Sequence, residues 1–96
     1  MYARLFTVNV QPDKLNEFPN AFSEMILPDI CQEQGFKGIY VMQEAVQSKI
    51  TALVLWETEA DALASINGYL RQRLPKMADF LAGPPITETL EVVLRA

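Results

Sequence analysis

The side chains able to do chemistry in this chain are aromatic, amide, guanidinium and carboxylate groups, because none of its 96 residues is a histidine. That absence excludes imidazole acid–base catalysis, a Ser-His or Cys-His dyad, histidine-ligated zinc and a proximal-histidine haem iron. A single cysteine, Cys31, excludes an intrachain disulfide. On a predicted helix it reads as a small, partly buried thiol rather than a reactive one. The carboxylates Glu24, Glu33, Glu57 and Glu59 have no histidine or cysteine pattern beside them and read as solvating charges, so no metal site is expected. A glycine-rich phosphate loop is also missing. Among the aromatics, Trp56 is distinctive by position. It closes the apolar run Ile50-Thr51-Ala52-Leu53-Val54-Leu55-Trp56 and stands just before Thr58-Glu59-Ala60-Asp61, a helix-start pattern. One short stretch thus marks a buried strand and its exit into a helix.

The elements that must hold such residues are legible from periodicity. Over residues 2–10, Tyr2, Arg4, Phe6, Val8 and Val10 alternate with Ala3, Leu5, Thr7 and Asn9, which predicts a first strand. Pro12 suits a helix start with Asp13 near its positive end, and Leu15, Phe18, Phe22, Met25 and Ile26 recur at three- and four-residue spacing before Ile30. A first helix follows, bent at Pro19 and Pro28. Gln34-Gly35 ends it. Residues 36–45 and 49–57 form a hairpin around a polar turn at Gln47 and Ser48. Thr58 caps a second helix whose apolar stripe is Leu63, Ile66, Leu70, Leu74, Met77 and Leu81, broken into two pieces by Asn67-Gly68 and Pro75. Gly83-Pro84-Pro85 is a rigid stop before a fourth strand at 86–95.

The order β-α-β-β-α-β predicts a single α+β domain over 1–96, a ferredoxin-like sandwich with a four-stranded antiparallel sheet in the order 4-1-3-2. In the third strand Ile50, Ala52, Val54 and Trp56 share one face while Thr51, Leu53 and Leu55 share the other, so neither side is a polar solvent face. Two helices cover one face only. The remaining apolar face calls for a second copy of the chain, a homodimer formed sheet to sheet.

Charge and composition set the remaining bounds. Half the residues are hydrophobic and 21% are charged, a globular balance. The net charge of −4 disfavours nucleic acid and acidic membranes as partners. No apolar run reaches the ~18 residues of a membrane span, and Met1-Tyr2-Ala3-Arg4-Leu5-Phe6 opens no signal-peptide core, so a cytoplasmic location is expected. Lys37-Gly38-Ile39-Tyr40-Val41 echoes the basic-glycine-aromatic signature of RNA-recognition motifs, but it falls on the second strand rather than the third.

Three segments in order resemble the antibiotic biosynthesis monooxygenase domain family of dimeric α/β barrels. They are Gly35-Phe36-Lys37-Gly38-Ile39-Tyr40, Leu53-Val54-Leu55-Trp56-Glu57-Thr58, and Phe80-Leu81-Ala82-Gly83-Pro84-Pro85. The resemblance spans essentially the whole chain and implies a pocket between sheet and helices in each subunit, with no cofactor. The family includes cofactor-independent oxygenases of phenolic polyketides, quinol oxygenases and haem-degrading enzymes. Trp56 matches the family's pocket tryptophan, with a plain apolar anchor as the alternative reading. Haem-degrading members add a strand asparagine and a helix histidine; the histidine has no counterpart here. Asn9 is the match for the asparagine. However, pairing 2–10 against 49–57 sets Trp56 opposite Ala3 and Asn9 opposite Ile50, about 20 Å apart at ~3.4 Å per residue. Thr7 or Phe6 would lie nearer.

An oxygenase of this kind needs a substrate that itself gives an electron to oxygen, such as a phenolate, and a site that holds the anion and excludes water. Trp56, Phe22 and Tyr69 are candidates for the apolar walls, and Tyr40, Asn67, Arg71 and Arg73 for the polar contacts. Two functions are then in view: a cofactor-independent monooxygenase-like protein acting on a small aromatic or quinol-type metabolite, or a non-catalytic dimeric module that binds a hydrophobic ligand or is filled by Phe18, Phe22, Met25 and Met77. A roomy pocket beside Trp56 favours the first and a filled one the second.

Overall fold

A computed structural model of the chain describes residues 1–65 and 74–96. Alternating branched and aromatic residues form β1 (Tyr2–Asn9), β2 (Phe36–Glu44) and β3 (Lys49–Trp56), and β4 (Ile86–Glu91) completes an antiparallel sheet in the order β2-β3-β1-β4. This is the expected α+β ferredoxin-like order. β4 is shorter than the predicted 86–95. Its last pair is Tyr2 with Glu91, and after Val92 donates its amide to the Met1 carbonyl at 2.9 Å, β1 offers no further partner.

The first helix is three segments rather than one bent rod. A 3₁₀ segment (Pro12–Glu17) leads into α1 (Phe18–Met25), and Ile26, at φ −112°, separates it from α2 (Leu27–Ile30). Each segment carries a proline in its first turn, where the missing N–H has no helical partner to lose. Pro19 and Pro28 thus start helices instead of kinking one. α3 (Glu59–Ser65) follows β3, capped as predicted: the Asp61 amide donates to the Thr58 hydroxyl at 3.1 Å. A second 3₁₀ segment (Leu74–Phe80) precedes β4. The predicted break at Asn67-Gly68 lies outside the described residues.

These segments cover one sheet face. Phe6, Val8, Val10, Ile50, Ala52, Val54 and Trp56 pack there against Leu15, Phe18, Phe22, Ile26, Ile30, Ala62 and Met77. Phe18 stacks on Phe22 at 6.0 Å and meets Phe80 edge-on at 6.1 Å. Three expectations need correction. Met25 is exposed, because Phe22 and Ile26, four residues apart, take the inward positions of α1 and its end. On α3 the buried residue is Ala62 and not Leu63, since this helix lies against β1, β3 and β4 and a methyl group permits the approach. Cys31 is exposed just beyond α2.

The opposite face carries no helix among the described residues. Leu5, Leu53 and Leu55 are half-buried there, and Tyr40, Met42, Ile86 and Leu90 are exposed. Among the described residues no helix is long and apolar enough to cross a membrane.

Gly35 fixes the junction of β2 with α3. It adopts φ +82°, a conformation that L side chains rarely take, and its carbonyl accepts the Glu57 amide at 2.8 Å. A Cβ at this position would collide with the Asp61 side chain. Gly35→Ala should therefore destabilise the fold by about 1–3 kcal/mol through backbone strain and displacement of Asp61, read as a lowered thermal midpoint.

Candidate functional site

The pairing of β1 with β3 sets Tyr2 opposite Trp56 and Arg4 opposite Val54, and β4 brings Glu91 opposite Tyr2 and Thr89 opposite Arg4. Because side chains alternate, Tyr2, Arg4, Val54, Trp56, Thr89 and Glu91 occupy one end of the helix-covered face. On the other flank Phe36, paired with Trp56, meets its indole edge-on at 6.0 Å and 81°.

Trp56 is 1% exposed, and its indole N–H is buried without a hydrogen-bond partner among the described residues. Arg4 is 8% exposed; Nη1 donates to the Thr89 hydroxyl while Nε is likewise buried and unpaired. Burial pushes the guanidinium pKa below its ordinary value. Tyr2 behaves differently. Its hydroxyl donates to Glu91 Oε2 at 3.3 Å at the exposed rim, and the Glu91 charge, with smaller contributions from burial, the hydrogen bond itself and Glu59, pushes the phenol pKa up. One end of the inner face thus holds two unsatisfied donors under a rim of carboxylates. Among the described residues no cluster of three or more His, Cys, Asp and Glu side chains could hold a metal ion.

The predicted site residues divide by strand parity. Trp56 and Phe22 share the core under the helices. Asn9 pairs with Lys49 and not Ile50, and Trp56 with Tyr2 and not Ala3, a one-residue difference from the expected register. Asn9 is exposed on the helix-free face at the far end of the β1–β3 pair, about 23 Å from Trp56 along the strand. Thr7 shares that face, and Phe6, on the inner face, pairs with Ala52 and so lies four residues along from Tyr2. Tyr40, opposite Leu53 and 65% exposed, also lies on the helix-free side. Asn67, Tyr69, Arg71 and Arg73 lie outside the described residues. The residues that sequence reasoning missed are Tyr2, Arg4, Phe36, Thr89 and Glu91. For Arg4 the signal was present: a cation at an inward position of an apolar alternation.

Comparison with known proteins gives a consistent family. The model of the antibiotic biosynthesis monooxygenase family matches residues 1–71. Among solved structures, a Caulobacter crescentus CB15 protein provisionally named an antibiotic biosynthesis monooxygenase is 25% identical, with a TM-score of 0.77 over 97% of this chain and 90% of its own. A Nitrosomonas europaea protein of unknown function superposes with a TM-score of 0.81 at 19% identity, covering 99% of this chain and 91% of its own. A Streptomyces coelicolor monooxygenase in complex with nanaomycin D gives 0.73 at 16% identity, covering 99% and 92%. The last two likenesses concern the fold. No curated protein matches the sequence.

The rim makes a measurable pH prediction. A raised Tyr2 pKa means that the folded chain holds the phenol proton more tightly than the unfolded chain does. Its contribution is fully present below the unfolded phenol pKa and fades as pH rises through the folded one. Glu91→Gln should lower the Tyr2 pKa, followed by NMR of the tyrosine ring carbons, and make that alkaline loss smaller and complete at lower pH.

Proposed function

The chain belongs to the antibiotic biosynthesis monooxygenase family, and on that footing we propose that it is a cofactor-independent, monooxygenase-like protein acting on a small aromatic or quinol-type metabolite. The observation that carries this reading is the buried, unpaired indole N–H of Trp56 on the helix-covered face. A buried donor without a partner is costly in a finished core, and a ligand oxygen is the acceptor that would remove the cost.

The chemistry needs little from the protein. Oxygenation of a phenol to a quinone balances without an external reductant: one atom of O₂ becomes the new carbonyl oxygen and the other leaves as water with the two hydrogens the substrate gives up. The site's part is to hold the ring against Trp56 and Phe36, exclude water, and donate a hydrogen bond where negative charge builds. Asn9 and Tyr40, on the helix-free face, take no part in this reading; Phe22 serves as packing behind Trp56. The Streptomyces coelicolor relative, a monooxygenase crystallised with nanaomycin D, supports the same class of reaction.

The near-complete burial of Trp56 favours a second reading, a non-catalytic module of the same fold. Oxygen uptake with a panel of phenols and hydroquinones separates the two. The enzyme reading expects uptake with at least one member and a loss of roughly 10²-fold in kcat for Trp56→Phe, as when one oxyanion donor is removed. No uptake across the panel leaves the module.

Both readings share a homodimer built on the helix-free face, where Leu5, Leu53, Leu55, Ile86 and Leu90 lie unshielded by any helix of the described residues. Sedimentation should find a dimer at micromolar concentration and a monomer for Leu53→Lys, which sets a charge opposite Leu5 at the centre of that face. A monomeric wild-type chain would overturn the dimer.

A further inference from the structure

Arg4 is the one charged side chain in the buried class among the described residues. Arginine holds its proton far above neutral pH, so the lowered pKa leaves a full positive charge on a side chain that is 8% exposed and whose Nε is sealed from solvent. Such a charge is normally matched by a buried carboxylate. Here no described carboxylate lies within ion-pair distance of the guanidinium, whose one hydrogen bond goes to a neutral acceptor, the Thr89 hydroxyl. The acidic groups facing this end, Glu91 on β4 and Glu59 at the start of α3, act on the exposed Tyr2 phenol instead. Arg4 is thus a cation fixed at one point by Thr89, with Nε paired to no acceptor among the described residues.

Trp56 stands beside it on the same face. Tyr2 is opposite Trp56 and Arg4 opposite Val54, so Arg4 and Trp56 are diagonal neighbours across β1 and β3. Diagonal positions are about 7–8 Å apart, within reach of long side chains that close on one ligand. The surroundings select the kind of anion. Two single unpaired N–H groups suit one oxygen, the ring neighbours Trp56 and Phe36 and the aliphatic Val54 suit an arene, and the carboxylate rim opposes a multiply charged phosphate.

We propose that Arg4, with the Trp56 indole N–H, binds the deprotonated oxygen of a phenol-type ligand, so that this chain takes its aromatic ligand as the oxyanion. This rests on the reading that the ligand is a phenol-type aromatic, and it assigns Arg4 a binding role whether or not oxygenation follows.

The test uses the full-length protein and a matched pair of probes, para-nitrophenol and its methyl ether para-nitroanisole, at a pH where the phenol is mostly ionised. Trp56 is the only tryptophan, so quenching of its fluorescence reports binding at this site. The phenolate should bind roughly 10-fold to 100-fold more tightly than the ether, the range of a hydrogen bond to a charged group. At the pH where para-nitrophenol is half ionised in water, binding should shift its absorbance toward the phenolate. Arg4→Met should remove both the preference and the spectral shift, leave ether binding unchanged, and leave the thermal midpoint of the ligand-free protein unchanged or higher, because a buried, unpaired Nε–H has gone. Thr89→Val should weaken phenolate binding alone.

Equal binding of the two probes by the wild type, no phenolate binding at millimolar concentration, or a preference that survives in Arg4→Met overturns the inference. A fall in thermal midpoint with equal losses for both probes marks Arg4 as structural and overturns it as well. If Arg4→Met fails to fold, the wild-type probe pair and Thr89→Val still decide. Para-nitrophenol binding is read without turnover. Anion preference without oxygen uptake by the phenol and hydroquinone panel therefore leaves Arg4 as assigned and removes the oxygenase reading, whereas uptake unaffected by Arg4→Met does the reverse.

Discussion

The antiparallel register of β1 on β3, with Tyr2 against Trp56, is the constraint on which the rest depends. A strand has a period of two, so this pairing decides for every residue of the sheet's centre whether it meets the helices or the open side. It gathers Phe6, Val8, Ile50, Ala52, Val54 and Trp56 under one roof of short helices. The same parity carries Arg4 inward, because its position in the strand matches that of Phe6 and Val8. A slip of one residue would place Leu5 and Ala3 against the core and return Arg4 to the open face, with the loss of the apolar area that Phe6 and Val8 bury. Arg4 is buried because its neighbours must be.

Strand order and fold class were legible because they follow from periodicity and from the count of elements. Boundaries and registers were less so. β4 stops where β1 runs out of partners, a fact about another segment that the apolar run 86–95 does not carry. The segmented first helix has a similar cause: a proline reads alike in sequence whether it begins a helix or interrupts one, and three prolines each turned out to begin a segment. The choice of Ala62 over Leu63 for the interior depends on how closely α3 approaches the sheet, and helical spacing does not encode that distance.

For the candidate site, sequence reasoning named Trp56 but not the neighbours that β1 and β4 bring beside it. Asn9 matches a family position, yet with Tyr2 opposite Trp56 its odd parity groups it with Leu5 and Thr7 on the helix-free face; the pairing read from the sequence, Ala3 opposite Trp56, puts odd residues on the Trp56 face, so alternation without the register did not contain that answer. Tyr40 sits opposite Leu53 for the same reason. Arg4 was the reverse case. A cation within an alternating strand looks like tolerated variation until the face it occupies is known to be interior.

The polar atoms that remain unpaired bear on why these residue types stand where they do. Tyr2 shows how a packed face accommodates a polar tip: its ring stays beside Trp56 while the hydroxyl reaches the rim and Glu91. The Trp56 N–H and the Arg4 Nε have no such exit. Phenylalanine would fill much of the indole's volume without stranding an N–H, and methionine would fill the space of the arginine stem without burying a charge. Two donors of the kind a core avoids, placed diagonally on one face, are hard to account for as packing, since each makes the empty fold less stable than an apolar residue would. They are readily accounted for if the resting core is incomplete, with the acceptor arriving from outside the chain.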